Sequence, residues 1–385
     1  MGKFLNFEMN EQLLFKSFLF LWIMSIPFKN IIFQASSILM VVYFVFHLFK
    51  TKIFIVLKDN FNKTRFLFIG FVLIIFSMLL GNISNLEILD KKSWSLIFMF
   101  IYRYGLMFII LAYFYKFDYF SKKDIVLFCV LSFFFLGLTG VYQVITYPQV
   151  VLGEGIVGTL DNRNAFGLSI GMGFVLSLLL IKDRKILGFL LISFFAFFMI
   201  FSFCRSSWVA SLSAAFVYFS LNYKNFRLKH LVYLFIFLGF LLLLYFSFDS
   251  FQTRFAQLLE GNSSNRTMIW QHTLVLVQKS LLVGYGMDSW KNLGDEFLLQ
   301  YPDSHNMVLE ILIKTGIIGL ITCFFTIAVV LFKIFKTKNY ILLPIATYFL
   351  IITQFDFGAF GSKELLSFLT IFVFYLYSDT FKFVK

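Results

Sequence analysis

A succession of long, unbroken apolar runs limits what this chain can fold into more than any other feature. Twelve stretches are long enough, or nearly so, to cross a bilayer: 12–28, 31–49, 66–82, 94–115, 125–146, 165–181, 186–203, 207–221, 231–248, 307–332, 340–355 and 365–378. A helical crossing takes about 20 residues, or roughly 17 at the short end. The runs are continuous rather than alternating, which does not fit a transmembrane β-barrel. Hydrophobic residues make up 60% of the 385 and charged residues 14%, against about 45–50% and 25% in soluble domains. Soluble globular and disordered classes are therefore excluded. The expected fold is all-α: a polytopic membrane helix bundle of about twelve transmembrane helices, forming one integral membrane domain over 1–385. The first run lacks a small-residue cleavage site and reads as a retained signal-anchor helix. Cys129, Cys204 and Cys323 lie far apart without metal-ligand spacing, and the two inside apolar runs, Cys129 and Cys323, read as small buried hydrophobes.

Charge tests the count. Lys and Arg exceed Asp and Glu by 33 to 20. In so apolar a chain this surplus reports topology rather than nucleic acid. The loops 50–65, 116–124, 182–185, 222–230, 333–339 and the C-terminal tail, with Lys3, hold 20 of the basic residues. The alternate loops hold ten, and Lys16, Arg103 and Lys314 fall within spans. Basic loops alternate as twelve spans require, so the positive-inside rule places both termini in the cytoplasm. The longest loop, 249–306, then faces outward, and a connection of that length is usually functional. Within it, Asn265 to Lys279 reads as a helix capped by Asn265 or Ser264 and ended by Gly284 and Gly286.

Candidate chemistry gathers at the outward loops. His47 and His230 stand near cytoplasmic span ends and read as solvated; His272 on the external helix can simply face water. His305 lies in Asp303-Ser304-His305-Asn306, just before a long span. An imidazole there, with a pKa of about 6.5, can take a proton from a sugar hydroxyl; it can equally be a polar residue opening a helix. Arg163, Arg205, Arg254 and Arg266 all face outward, against the topology bias. Each alone can snorkel to headgroups. Together they offer planar forks for phosphate oxygens, and converging on one site they would suit a diphosphate. Arg103 is an intramembrane charge, which defaults to a functional reading, although a carbonyl partner in the bundle would also satisfy it. Glu310 and Lys314 are in the favourable order for a helix pair. Walker, HExxH, GxSxG and Cys–His metal patterns are absent, as is an Asp-x-Asp motif in a loop.

Four segments carry a resemblance to the O-antigen ligase / O-antigen polymerase superfamily of bacterial integral membrane glycosyltransferases. Gly158-Thr159-Leu160-Asp161-Asn162-Arg163-Asn164-Ala165-Phe166-Gly167 resembles that family's Asn-bearing start of a span. Arg205-Ser206-Ser207-Trp208 resembles its Ser-Arg-small-small turn. Asn265-Arg266-Thr267-Met268-Ile269-Trp270 with Gly284-Tyr285-Gly286 is similar to its Arg-x-x-x-Trp helix and Gly-x-Gly exit. His305-Asn306 through Gly316-Ile317-Ile318-Gly319 is similar to its His-Asn opening and Gly-x-x-Gly span. The likeness covers 158–320. Lys314 departs from it, standing where an acidic residue is expected, with Glu310 as the compensating candidate.

The resemblance implies an O-antigen ligase acting on the periplasmic face of the bacterial inner membrane, in lipopolysaccharide biosynthesis. The 249–306 loop would be periplasmic and hold short helices. An undecaprenyl-diphosphate-linked glycan would be the donor and a hydroxyl of the lipid A–core oligosaccharide the acceptor. Transfer would be inverting, without metal or cofactor. His305, Arg266 and Arg205 would be catalytic; Arg163, Asn164, Arg254, Trp270 and Asn306 would bind substrate. A polymerase extending the carrier-linked glycan, or a protein O-oligosaccharyltransferase, fits the same motifs. A transporter of lipid-linked glycan fits less well, because no internal repeat is visible and the polar clusters lie at the outer edge.

Overall fold

The computed structural model describes residues 2–28, 30–51, 60–87, 90–160, 162–181, 184–222, 246–259, 265–301, 303–355, 360 and 362–381. These residues are helical, with 3-10 and irregular connections and no strand among them. Seven of their helices are long and apolar enough to cross a membrane, among them Asn30–Lys50, Arg65–Ile83, Lys91–Lys116, Lys122–Thr146 and Met307–Lys336. Two shorter apolar helices, Lys185–Phe201 and Tyr340–Ile352, accompany them. The chain is a multi-pass membrane protein. The expected span 231–248 falls almost wholly outside the described residues, as do His230, Asp161 and Pro302.

The residues fall into two compact units. One comprises Met1–Phe128, Arg266–Asn339 and Thr353–Lys385. Its centre is aromatic: Phe15 stacks on Phe114 at 3.9 Å, and Tyr43 lies over Phe114 at 5.6 Å. Lipid tails are as apolar as Phe, so ring packing rather than a hydrophobic driving force holds such helices together. His47 departs from its solvated reading. It is 5% exposed, with Nδ1 3.1 Å from the Tyr113 hydroxyl and Nε2 2.9 Å from that of Tyr119. A buried imidazole needs partners for both nitrogens, and two tyrosines brought from another part of the chain supply them.

The long apolar run 307–332 forms a helix, but the helix is broken. Within Met307–Lys336, Gly316 has φ 63° and ψ −164°, a conformation open essentially to glycine alone. In an unbroken helix the Ile317 and Ile318 amides would bond the Ile313 and Lys314 carbonyls. Segment 281–286 takes both sides of that exchange. The Tyr285 and Gly286 amides donate to the Ile313 and Lys314 carbonyls at 2.7 and 2.9 Å, while the Ile317 and Ile318 amides donate to the Leu281 and Leu282 carbonyls at 2.8 and 3.4 Å. The four backbone groups freed by the break thus find partners in the inserted segment, as an apolar surrounding demands. The inserted backbone comes so close that a Cβ on Gly316 would stand 2.2 Å from the Leu282 oxygen, and one on Gly284, itself at φ 68°, 2.6 Å from the Lys314 carbonyl carbon. The Arg65–Ile83 helix completes the junction. Asn85 Nδ2 donates to the Gly284 carbonyl at 3.0 Å, and the Asn82 carboxamide oxygen accepts from the Met287 amide at 2.7 Å.

The second unit comprises Cys129–Asn265 and Tyr340–Ile352. Its hub is the Arg163–Leu180 helix, where glycines admit the neighbours. A Cβ on Gly171 would meet the Tyr348 hydroxyl at 2.4 Å and Ser207 Oγ at 2.6 Å. Ser207 Oγ donates to the Gly167 carbonyl at 2.6 Å and the Tyr348 hydroxyl to the Leu168 carbonyl at 2.7 Å. Small residues with short polar links are the usual adhesive between helices in lipid.

The junction yields a prediction. Gly316→Ala combines a forbidden backbone angle with a backbone clash, so it should destabilise the fold by about 3 kcal/mol or more. Thermal unfolding in detergent reads the loss; a variant melting with wild type would show that the break is not required.

Candidate active site

In the first unit the helix Arg266–Lys279 and the His305 loop form one lobe. Ile269, Leu276 and Val277 bury against Trp290, Leu298 and Ile313. The Trp290 indole ties the loop by donating to the Tyr301 carbonyl at 2.9 Å. His272 faces water in part, as its position allows, with its side chain 41% exposed, and also sets Nδ1 2.8 Å from Asp295 Oδ2 and packs on the Phe297 ring at 4.6 Å. Burial pushes the Asp295 pKa up, but the hydrogen bonds from His272 and from the Leu298 and Phe297 amides outweigh it and hold the carboxyl below its usual value.

The lobe presents His305 in an uncommon way. Its φ is +50°, the left-handed region, which costs a non-glycine residue about 1–2 kcal/mol and persists only where neighbours impose it. They do. Ser304 is wholly buried. Its carbonyl accepts from the Trp270 indole at 3.0 Å, and its hydroxyl and amide lie 3.2 and 3.4 Å from Glu310 Oε2. On the other side, Asn306 caps the next helix by accepting from the Val308 and Leu309 amides at 2.9 and 3.1 Å, while its Nδ2 donates to the Gln354 carbonyl at 3.2 Å. Asp303 accepts from the His305 amide at 2.7 Å and lies 3.3 Å from its Nδ1, which is buried and has no aligned hydrogen bond.

Glu310 is 1% exposed, and its second oxygen takes the Lys314 ammonium. The departure at Lys314 therefore has a partner one turn away. That carboxylate both answers the lysine and pins Ser304. The Asp303 carboxyl is raised above its usual value, first by burial and then by the Glu310 charge, with His305 offsetting part of the rise. The sequence had signals for both acids: the short Asp303-to-His305 spacing of an Asx turn, and the Glu310–Lys314 helix pair. Neither signal says what the acid would hold.

The second unit gathers the remaining candidates at one end. Residues 153–160 and 162–164 lie against the turn 202–204: the Ile156 amide donates to the Phe201 carbonyl at 3.0 Å, and the Cys204 thiol lies 3.9 Å from the Asn164 carbonyl. A Cβ on Gly155 would meet Arg163 Cδ at 3.2 Å. Gln143 holds the loop by accepting from the Val157 and Gly158 amides at 2.9 and 2.8 Å. The Asp249–Leu259 helix, which carries Arg254, docks on the same turn through Phe251 against Trp208 at 5.5 Å. Arg163, Asn164 and Arg205, with the helix of Arg254, thus share one end of this unit. Arg266, Trp270, His305 and Asn306 share one lobe of the other. Among the described residues no three of His, Cys, Asp or Glu converge as a metal-ligand set.

Residues 187–325 match the family model described as O-Antigen ligase. The match spans about a third of the chain and supports the O-antigen ligase superfamily. No curated protein matches the chain. The matched segment holds Arg205, Arg254, Arg266, Trp270, His305, Asn306 and the Gly316 break. Arg163 and Asn164 precede it.

Two predictions follow from the lobe. Glu310→Ala strands a buried lysine and should cost about 3–5 kcal/mol, whereas Glu310→Met with Lys314→Met removes both charges and should cost clearly less; melting temperatures of the two variants, compared in detergent, check the order. Asp303 binds its proton more tightly folded than unfolded, so wild-type stability falls as pH rises from the usual carboxylate range through its raised value. Asp303→Asn keeps an acceptor for the His305 amide and should flatten that part of the pH–melting profile. An unchanged slope would remove Asp303 as its cause.

Proposed function

We propose that this chain is an O-antigen ligase of the bacterial inner membrane, a glycosyltransferase of about twelve spans with cytoplasmic termini and 249–306 in the periplasm. The observation that carries the reading is His305. It is a half-buried imidazole held in a left-handed conformation by two polar clamps, with a carboxylate at Nδ1, inside the matched segment. Strain maintained at such cost by surrounding hydrogen bonds is a mark of functional sites.

In this reading Nε2 is the nitrogen offered to the acceptor sugar hydroxyl. The hydroxyl oxygen attacks the anomeric carbon of the glycan on undecaprenyl diphosphate. A new C–O bond forms, the anomeric carbon–phosphate oxygen bond breaks with its electron pair going to the diphosphate, and the hydroxyl proton passes to His305. One displacement inverts the anomeric centre. Arg205 and Arg266 stabilise the departing diphosphate as fixed cations, and Arg163, Asn164, Arg254, Trp270 and Asn306 hold donor and acceptor. The acceptor is the lipid A–core oligosaccharide.

The test is lipopolysaccharide from cells whose only copy is His305→Ala or Arg266→Ala, with membrane levels of the protein matched. Removing a general base costs about 10²–10⁴ in rate, so O-antigen attached to core should disappear while polymer accumulates on the carrier. Full-length O-antigen still on core would overturn the roles. Core bearing a single repeat unit would make the enzyme a polymerase instead.

A further inference from the structure

Arg103 takes no part in that chemistry. In the Lys91–Lys116 span it is the thirteenth of 26 residues, inside the apolar segment rather than at its ends. A charge there calls for a function. It also lies in a six-residue π-helical turn, Ile101–Leu106, a distortion that recurs at functional sites.

Its surroundings answer the guanidinium only in part. Nε donates to the Tyr102 hydroxyl at 3.0 Å, Tyr104 is a further hydrogen-bonding neighbour, and the guanidinium carbon stands 5.7 Å from the Phe33 ring centroid. A second cation shares that ring: the Lys363 ammonium lies 5.8 Å from the same centroid. Lys363 is largely buried, bonds the Phe28 carbonyl and sits 3.4 Å from Glu364 Oε1. Glu364 therefore answers Lys363. Among the described residues no carboxylate lies within ion-pair distance of Arg103. Tyrosine hydroxyls and ring faces satisfy some of its five N–H donors but do not neutralise it. Phe33 is in the first turn of the Asn30–Thr51 helix, and Lys363 opens Lys363–Phe381, so two helix N-termini add positive potential nearby. On Arg103's own helix Phe98 and Ile101 are 66% and 37% exposed, which makes the approach apolar.

We propose that Arg103, with Lys363 across Phe33, forms an anion subsite for the phosphate ester of a membrane lipid. The planar fork pairs two phosphate oxygens, the apolar approach admits an acyl or prenyl chain, and a soluble phosphate has no such route. Carrier diphosphate and glycerophospholipid headgroup share this chemistry. The subsite does not rest on the role of His305; only its placement toward the periplasmic leaflet rests on the orientation proposed above.

The experiment uses the full chain in dodecyl maltoside carrying Arg205→Gln and Arg266→Gln, so that the proposed catalytic cations are removed. Micelles are doped with undecaprenyl diphosphate or with phosphatidylglycerol, and retained lipid is counted by native mass spectrometry. Retention should weaken about tenfold or more with Arg103→Gln, and by less with Arg103→Lys, which keeps the charge and loses the fork. Retention of the diphosphate alone identifies the carrier lipid as the source; retention of phosphatidylglycerol as well identifies lipid phosphate in general. Absence of both lipids from the parent, or retention unchanged in Arg103→Lys and Arg103→Gln, overturns the subsite. If Arg103→Gln does not fold, Arg103→Lys decides by itself. Equal binding by wild type and the Arg205/Arg266 parent would instead count against the catalytic anion site and leave this one standing.

Discussion

In hydrocarbon no water is available to a backbone amide or carbonyl, so each must find its partner in the chain. This requirement governs how the molecule can depart from straight helices. At Gly316 the helix stops donating to itself, and segment 281–286 supplies donors to one half and acceptors to the other. The exchange needs three glycines, because the inserted backbone lies where side chains would be: Gly316, Gly284, and Gly81, whose Cβ would stand 2.7 Å from the Lys314 carbonyl oxygen. The Gly-x-Gly and Gly-x-x-Gly motifs are thus two faces of one contact. The first half of the broken helix carries Glu310 and Lys314, so the break also fixes where the His305 lobe is anchored.

A second consequence concerns buried charge. An ion pair taken out of water repays its desolvation only with good geometry and further hydrogen bonds. Glu310 has both, in the Lys314 ammonium and in the hydroxyl and amide of Ser304. Local strain at His305 and a buried ion pair at the head of the helix are therefore coupled through one serine. The same economy of partners explains His47, whose two ring nitrogens face tyrosine hydroxyls, and sets Arg103 apart, beside which rings and hydroxyls stand but, among the described residues, no carboxylate within ion-pair distance.

Much of the helical architecture was legible in the apolar runs, because a span announces itself by length and composition. The helix from Arg266, the tight turn before Arg205 and the opening at Asn306 stand where the sequence put them. The break at Gly316 was not legible as a break. A glycine inside a long apolar run reads as a tolerated weakness until the segment that replaces its hydrogen bonds is known, and that segment lies some thirty residues earlier. Asp303 and Glu310 were visible as residues and invisible as partners of the His305 loop for the same reason. The solvated reading of His47 failed because position at the end of a run says nothing about which rings arrive from elsewhere.

The sequence by itself determined that this chain lives in a membrane and that it is helical, and it singled out four arginines and His305 as candidates. Those conclusions depend on local quantities: hydropathy over a window, the sign of charge in each loop, the order of short motifs. The tertiary structure alone decided that His305 is held left-handed, that Glu310 also pins Ser304, and that the glycine motifs join two segments. Each of these depends on a hydrogen bond or a close approach between atoms distant along the chain or facing one another across a turn. Composition and spacing are blind to such pairings, because many partners satisfy the same pattern and only packing selects one.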